Sequence, residues 1–341
     1  MRLFGGMYTR ARLGIFLREF IHGHVRQLAA VLRRLLVTLA DRTSLLSGIA
    51  GSRYCSSEPT MPSEANMTFR TIRVVTWNLW WRFGPWEKRA YAISAVLRRV
   101  QPDVCGLQEV WADRERSLAA LLAAELGMHL AWTPSPFPDN WQKKVGDFNT
   151  AVGNAIISRW PILEHDMELL PAGAAPSDGR TAVFALLDMP SGRVPFFTTH
   201  LNSARDHSSI RCEQVRALAR FVAQRPSGEF PFVITGDFNA EPDSDEMRLL
   251  LGPWPRSSSI GLRVFDAWDS IVSSVDGPTW DRSNPFVAET GEPSARIDYV
   301  LVGPPLPSGA GRVQSARLAG TQAVRGVFPS DHAAVVVDLC S

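Results

Sequence analysis

Lysine is nearly missing from this chain. Of 36 basic residues in 341, only Lys88, Lys143 and Lys144 are lysines. Cysteine is scarce too: Cys55, Cys105, Cys212 and Cys340 are too few for a disulfide framework and form no CxxC pair, which argues against a small cysteine-stapled scaffold and the common zinc patterns. Cys105 and Cys340 sit in apolar runs and read as reduced core residues, so a reducing, cytoplasmic compartment is expected. No uncharged apolar run reaches the ~18 residues that suggest a membrane span. What is present is ordinary for a chain with a buried core: 45% hydrophobic and 21% charged residues, which excludes disorder throughout and a collagen-like or coiled-coil chain. At about 150 residues per domain, the length allows two domains or one large domain with an appendage.

Charge divides the chain unevenly. Residues 1–66 carry nine arginines against four acids, a surplus of five, while residues 67–341 carry 27 basic and 30 acidic residues, a deficit of three. The body therefore lacks the positive field of a protein that grips duplex DNA through its phosphates. In the first segment Val25, Leu28, Leu32, Leu35 and Leu39 recur at helical spacing, with Arg26, Arg33 and Arg34 on other faces. One reading is a basic amphipathic helix peripherally associated with a membrane or partner. The others are a poorly ordered extension, or a natural start at Met67. Residues 48–66, rich in Ser, Pro and Gly, read as a linker in each case.

Along the body, apolar patterning predicts strands at 71–78, 103–109, 150–158, 162–170, 180–188, 193–201, 231–235, 296–302 and 333–339. Helices are expected at 88–100, 114–126, 208–224 and 245–251, and an aromatic, proline-rich loop at 134–149. No internal repeat is visible. Consecutive strands with αβ alternation on either side predict an α/β protein, a mixed sheet system with helices outside.

Polar groups gather at the ends of these strands. Asn78 ends VVTWN, Glu109 ends DVCGLQE and His200 ends VPFFTTH; Asp237 and Asn239 lie in GDFN, Asp298 in RIDYVLV, and Asp331 with His332 in SDHAAVVVDL. Strand ends are rigid and hold functional groups with precision. In GDFN, extended backbone would point Asp237 and Asn239 the same way and turn Phe238 inward. Each motif alone has a bland reading: a solvated Glu, a GDxN turn, a structural His, an Asn cap, an Asp298–Arg296 pair. Taken together, four carboxylates, two amides and two histidines suit a hard, oxygen-binding cation and an acid–base system.

The ordered set TWN (76–78), LQE (107–109), GNAIISR (153–159), TTHL (198–201), GDFN (236–239), RIDYV (296–300) and SDH (330–332) resembles the endonuclease/exonuclease/phosphatase superfamily, the DNase I-like hydrolases. The resemblance covers about residues 70–340. It implies a four-layered αββα sandwich of two packed mixed β-sheets, a catalytic domain at 67–341, and Mg²⁺-dependent hydrolysis of a phosphate ester, with Mn²⁺ as a substitute. By the same resemblance Glu109 is the principal metal ligand, Asn78 places metal and phosphate, and Asp331 completes the metal shell. Asp298 and His332 match a carboxylate–imidazole pair. Asp237 is the other candidate for activating water or protonating the leaving oxygen, with Asn239 orienting it, and His200 matches a second phosphate-binding histidine.

Within the family, TWN, LQE, GDxN and SDH are similar to the tyrosyl-DNA phosphodiesterase 2 branch, while a TH strand followed by Arg211 and Gln214 on a helix is similar to bacterial sphingomyelinases. Trp80 stands where abasic endonucleases usually carry an acid. The expected partner is therefore a nucleic acid end or a lipid headgroup, bound by a monomer that needs no obligate protein partner. The tryptophans at 77, 80, 81 and 86, with Phe137, Trp141, Phe148, Lys143 and Lys144, would form an aromatic, cationic rim if both loops border the site; Trp77 itself is expected in the core. A catalytically silent binding domain is the least favoured reading, since every expected residue is present.

Overall fold

Two parallel strands, β1 (Thr71–Asn78) and β2 (Val104–Ala112), occupy the middle of one six-stranded sheet, ordered β11-β12-β1-β2-β4-β3. Its other members are β3 (His129–Pro134), β4 (Ala151–Ser158), β11 (Val313–Ala319) and β12 (Ala334–Cys340), all paired antiparallel. The second sheet repeats the plan, in the order β5-β6-β7-β8-β10-β9. It comprises β5 (Ile162–Leu169), β6 (Thr181–Met189), β7 (Gly192–His200), β8 (Val233–Asp237), β9 (Phe265–Asp266) and β10 (Asp298–Val302), and again the central pair, β7 and β8, is the parallel one. The computed structural model describes residues 71–173, 179–252, 260–271 and 277–341. The helix expected within residues 25–39 and the linker after it lie outside them.

Parallel neighbours need a crossover, usually helical, and each central pair has one. Helix α1 (Trp86–Val100) joins β1 to β2, and α2 (Leu118–Leu126) follows β2. A short helix α3 (Asp139–Val145) precedes β4. Helix α4 (Ser208–Ala223) joins β7 to β8, followed by α5 (Asp245–Leu251) and, later, α6 (Pro285–Ala288).

Strand alternation sorts the apolar residues into three layers of contact. Val75, Trp77, Cys105 and Leu107 face outward, where Ile93, Leu97 and Leu122 of α1 and α2 cover them. On the second sheet Phe197, Ile234 and Leu301 face Val215 and Leu218 of α4. Val74, Val104, Ile156 and Val335 point inward onto Val183, Phe196, Val233 and Val300 of the opposite sheet. The fold is the four-layered αββα sandwich that the motifs implied.

Near the strand ends the inter-sheet layer turns polar. Gln108 Nε2 donates across it to Thr198 Oγ1 (2.8 Å) and, within its own sheet, to Thr76 Oγ1 (3.2 Å). Gly106 makes this closeness possible: a Cβ there would stand 2.0 Å from Thr235 Oγ1 and 2.6 Å from Thr198 Oγ1.

Candidate active site

The two parallel pairs deliver their carboxyl ends to one cleft of about 590 Å³, the place where open α/β sheets bind ligands. Register does the alignment. His200 pairs with Asp237 across β7 and β8, and Asp237 pairs with Asp298 across β8 and β10, so Asp237 sits between the other two. Asn78 pairs with Gln108, next to Glu109. In β2 the register shifts between Leu107 and Val110, and Glu109 takes the left-handed φ of +49°. A non-glycine residue held there costs ~1–3 kcal/mol, and such strain gathers at functional sites.

All the residues expected from the motifs come together here. Asn78 Nδ2 donates to Asp237 Oδ2 (2.9 Å) and Glu109 Oε1 (3.2 Å), while its Oδ1 accepts from the Trp80 backbone N–H (2.9 Å). His200 Nε2 lies 3.4 Å from Asp237 Oδ2 and 3.9 Å from Glu109 Oε1. His332 Nδ1 meets Asp298 Oδ2 at 2.8 Å, leaving Nε2 3.8 Å from Asp237 Oδ2 and 4.0 Å from Asp331 Oδ1. Glu109 Oε2 is buried and has no hydrogen-bond partner.

Asn239 reaches its place by a different route from the one expected. The chain leaves extended backbone after Asp237, and Asn239 adopts φ +48°. Its N–H donates to Asp237 Oδ1 (2.9 Å) and its Nδ2 to Leu201 O (3.2 Å). This is an Asx-type turn, for which Asp and Asn are suited. Phe238 packs on Tyr299 in the outer core.

Burial and crowding set the ionisation. Burial, then repulsion by Asp298, pushes the Asp237 carboxyl up to about 7. Burial also raises Asp331 to about 7, and Glu109 adds to it. For His332 burial opposes the charge, but Asp298, Asp237 and Asp331 outweigh it and hold the imidazolium well above the ordinary histidine range. His200 goes the other way, pushed well below that range by burial and by the cations Arg180, His332 and Lys144. Two histidines in one cleft thus differ in charge at neutral pH.

Asp237, Asp298 and His332 each bring one ligand atom within 4.8 Å of the others, all buried, so an acidic site able to hold a divalent cation is present. The 2.8 Å pairing of Asp298 with His332 Nδ1 commits those two groups to each other. Glu109 Oε2 and Asp298 Oδ1 are the buried carboxylate oxygens of the cleft without a hydrogen-bond partner among the described residues.

Several contributors carried no signal in the sequence. Arg89 of α1 is buried and donates to Leu79 O, Trp80 O, Trp81 O, Phe83 O and Pro329 O at 2.8–3.1 Å. It ties the loop after Asn78 to the segment before Asp331. Ser330 Oγ donates to Asn78 O at 2.7 Å, closing the same junction. Trp141 lies on α3, within a stretch expected to be a loop, and packs edge-on against His200 with ring centroids 6.3 Å apart. Arg180 and Lys144 stack on Trp141, at 5.3 and 4.9 Å. Of the expected rim, Trp80, Trp141 and Lys144 line the cleft, joined by Phe83 from outside that set. Trp77 and Trp81 are fully buried, and Trp86 packs on Trp111. Arg211 lines the cleft but is tied up in structural contacts, pairing with Glu246 and donating to Ala204 O, while the buried Gln214 accepts from the Asn202 N–H. Arg296 pairs with Asp266 and Asp269, which leaves Asp298 to His332.

Residues 75–332 match the endonuclease/exonuclease/phosphatase family. The chain belongs to this family. Family members are phosphoesterases, and the cleft just described lies wholly within the matched span. Nocturnin of Drosophila melanogaster is 30% identical over 280 residues, 74% of this chain and 42% of nocturnin, so the chain spans under half of that relative's length. Sphingomyelinase C of Bacillus cereus is 23% identical over 246 residues, 67% of this chain and 71% of the enzyme. Among solved structures, D. rerio TDP2 complexed with single-strand DNA product has a TM-score of 0.61 at 18% identity, covering 80% of this chain and 99% of that one. That likeness is one of fold. Both branches suggested by the motifs thus recur among the family members it is similar to. Among the described residues no helix is long and apolar enough to cross a membrane.

Proposed function

We propose that the protein is a Mg²⁺-dependent phosphodiesterase acting on a nucleic acid, most readily at a strand end, with Mn²⁺ able to substitute. The observation that carries the metal reading is Glu109 Oε2, a buried carboxylate oxygen with no partner, in a cleft where Glu109 also raises the proton affinity of Asp331. A buried carboxylate oxygen without a partner is costly, and a divalent cation on Glu109 and Asp331 would remove that cost. Mg²⁺ binds through few carboxylates and keeps water and substrate oxygens. When bound, it supplies positive charge to a phosphoryl oxygen. Asn78 acts on the ion through Glu109, whose Oε1 accepts from its Nδ2.

The remaining chemistry belongs to side chains. His332, cationic and fixed at Nδ1 by Asp298, presents Nε2–H to a non-bridging phosphate oxygen, where negative charge accumulates. His200, neutral, presents its Nε2 beside it. Asp237 lies near half-ionisation at neutral pH; Oδ1 accepts from the Asn239 N–H and Oδ2 from Asn78 Nδ2, and the second lone pair of Oδ2, on the side of His200 and His332, exchanges a proton with water or with the departing oxygen. The strand-end reading draws support from the aromatic wall of Trp80, Phe83 and Trp141 with Lys144, which suits an unpaired base, and from the body's charge deficit, which disfavours a long duplex footprint.

A phospholipid or sphingomyelin substrate is the second reading. Its support is the exposed acids Glu241 and Asp243 on the opposite wall, which suit a cationic headgroup, and the sphingomyelinase C relative. Hydrolysis assays with Mg²⁺ on single-stranded DNA, phosphotyrosyl DNA, abasic duplex and sphingomyelin separate the two. Glu109→Gln should abolish most turnover on the accepted substrate and weaken Mg²⁺ affinity with the fold intact. Unchanged Mg²⁺ dependence would remove Glu109 from the metal site.

A further inference from the structure

Arg82 stands outside the catalytic cluster, yet three loops that border it converge on this one side chain. It lies in the loop after β1. One guanidinium nitrogen donates to Asp147 Oδ2 (2.9 Å) and Thr150 Oγ1 (2.8 Å), both in the loop between α3 and β4. The other pairs with Asp113, just after β2. The guanidinium also lies over the rings of Trp86 (4.4 Å) and Trp111 (4.6 Å), and the side chain is only 11% exposed. Planar, multidentate and stacked contacts of this kind are specific to arginine.

The loop that Arg82 holds ends the segment carrying Trp141. Among the described residues, few other side-chain hydrogen bonds tie that segment to the body. Gln142 Nε2 donates to Thr150 O (3.2 Å), within the segment itself, and Trp81 Nε1 donates to Ala151 O (3.0 Å). Trp141 fills the space between Trp81, Phe83 and His200, at ring separations of 5.9, 6.3 and 6.3 Å. Asn78 and Asp331, by contrast, are locked by Arg89 and Ser330, without help from Arg82.

We infer that Arg82 is a positioning residue that clamps α3 against the cleft, so that Trp141 forms the wall on which the substituent of the phosphate ester rests. The binding half rests on the phosphodiesterase reading; the clamp itself does not. Arg82→Met keeps the stem and loses every donor. Trp141 should then leave its seat, weakening binding of an aromatic substituent more than it slows the bond-breaking step.

The scarcity of lysine supplies a test independent of activity. A lysine-specific protease has three targets in the chain, Lys88 on α1 and the exposed Lys143 and Lys144 on α3. In Arg82→Met, cleavage at Lys143 and Lys144 should accelerate about tenfold or more, because cleavage follows local opening, while Lys88 keeps its wild-type rate. Arg82→Lys should fall between. With thymidine 5′-p-nitrophenyl phosphate and Mg²⁺, KM should rise about tenfold and kcat fall much less. Trp141→Ala should raise KM similarly, and the double variant should add little to either. Equal acceleration at Lys88 would mean general loosening and would overturn the clamp, as would unchanged cleavage at α3. Faster cleavage with unchanged KM, or additive losses in the double variant, would overturn the role of the wall. If the wild type hydrolyses no ester, the functional reading fails and the protease result still decides the clamp.

Discussion

Asp298 and His332 show how much one contact decides at the scale of a residue. The imidazole is buried, which alone would favour its neutral form. The 2.8 Å bond from Nδ1 to Asp298, with Asp237 and Asp331 nearby, reverses that outcome. A histidine held cationic is a poor base at neutral pH and a good clamp for a phosphate oxygen, so the proposed mechanism gives proton exchange to Asp237. Two predictions follow from this division. Asp298→Asn removes the charge that raises His332, so the alkaline limb of the pH–rate profile should move to lower pH. Combined with His332→Ala it should be far from additive, because both act through one bond. Additive losses would show that the two do not work as a pair. Asp237→Asn should lower turnover by at least the ~10²-fold typical of an acid–base group and leave Mg²⁺ binding intact. A p-nitrophenol leaving group should recover part of that loss if Asp237 protonates the departing oxygen, and none if it activates water.

At the scale of the element, strands were legible wherever both faces are buried. The β-branched run of β1, the apolar runs of β7 and β8 and the alternating α4 face declare themselves, because burial on a regular backbone leaves a period. The strands that escaped notice have weaker patterns: β3 and β11 are only half-buried, and β9 is two residues long. Helix α3 was hidden by prolines on its N-terminal side and by aromatics that pack on other parts of the molecule, which no local period records. Site residues at strand ends stood out as polar groups closing apolar runs. Arg89 and Arg82 did not, since an arginine that gathers carbonyls or carboxylates from distant loops looks like any surface arginine in sequence. Gly106 is equally silent, although the sheets meet over it. Gly106→Ala would place a Cβ within 2.0 Å of Thr235 Oγ1, and overpacking of this kind costs ~1–3 kcal/mol. Urea unfolding should show that loss, and Thr235→Ala in the same chain should recover part of it. Full stability in the single variant would mean that the layer has slack.

For the whole molecule, two sheets without a detectable sequence repeat share one plan: a central parallel pair joined by a helix, with antiparallel strands on both sides. Their union points four strand ends at one place, and it concentrates carboxylates there in low dielectric. The consequence is a pH-dependent stability governed by the site. Asp237 and Asp331 have folded-state values near 7 against 3.8 in an ordinary carboxyl. Between those limits the folded protein retains protons that the unfolded chain has released. Their contribution to stability is therefore full below pH ~4 and is lost as pH rises through ~7. His332, also raised, adds a contribution present below its unfolded value near 6.5 and lost as pH climbs through its folded value. His200, depressed, acts oppositely, its neutral form costing stability as pH falls below ~6.5. Above pH ~7 the carboxylates are ionised and repel one another, and a divalent cation relieves that repulsion. Cation binding competes with protons, so Mg²⁺ should raise the melting temperature more at pH ~8 than at pH ~6. In Glu109→Gln combined with Asp331→Asn that difference should vanish. Thermal unfolding with and without Mg²⁺ at the two pH values measures it, and an equal gain at both would mean that the ion is held by groups other than these carboxylates.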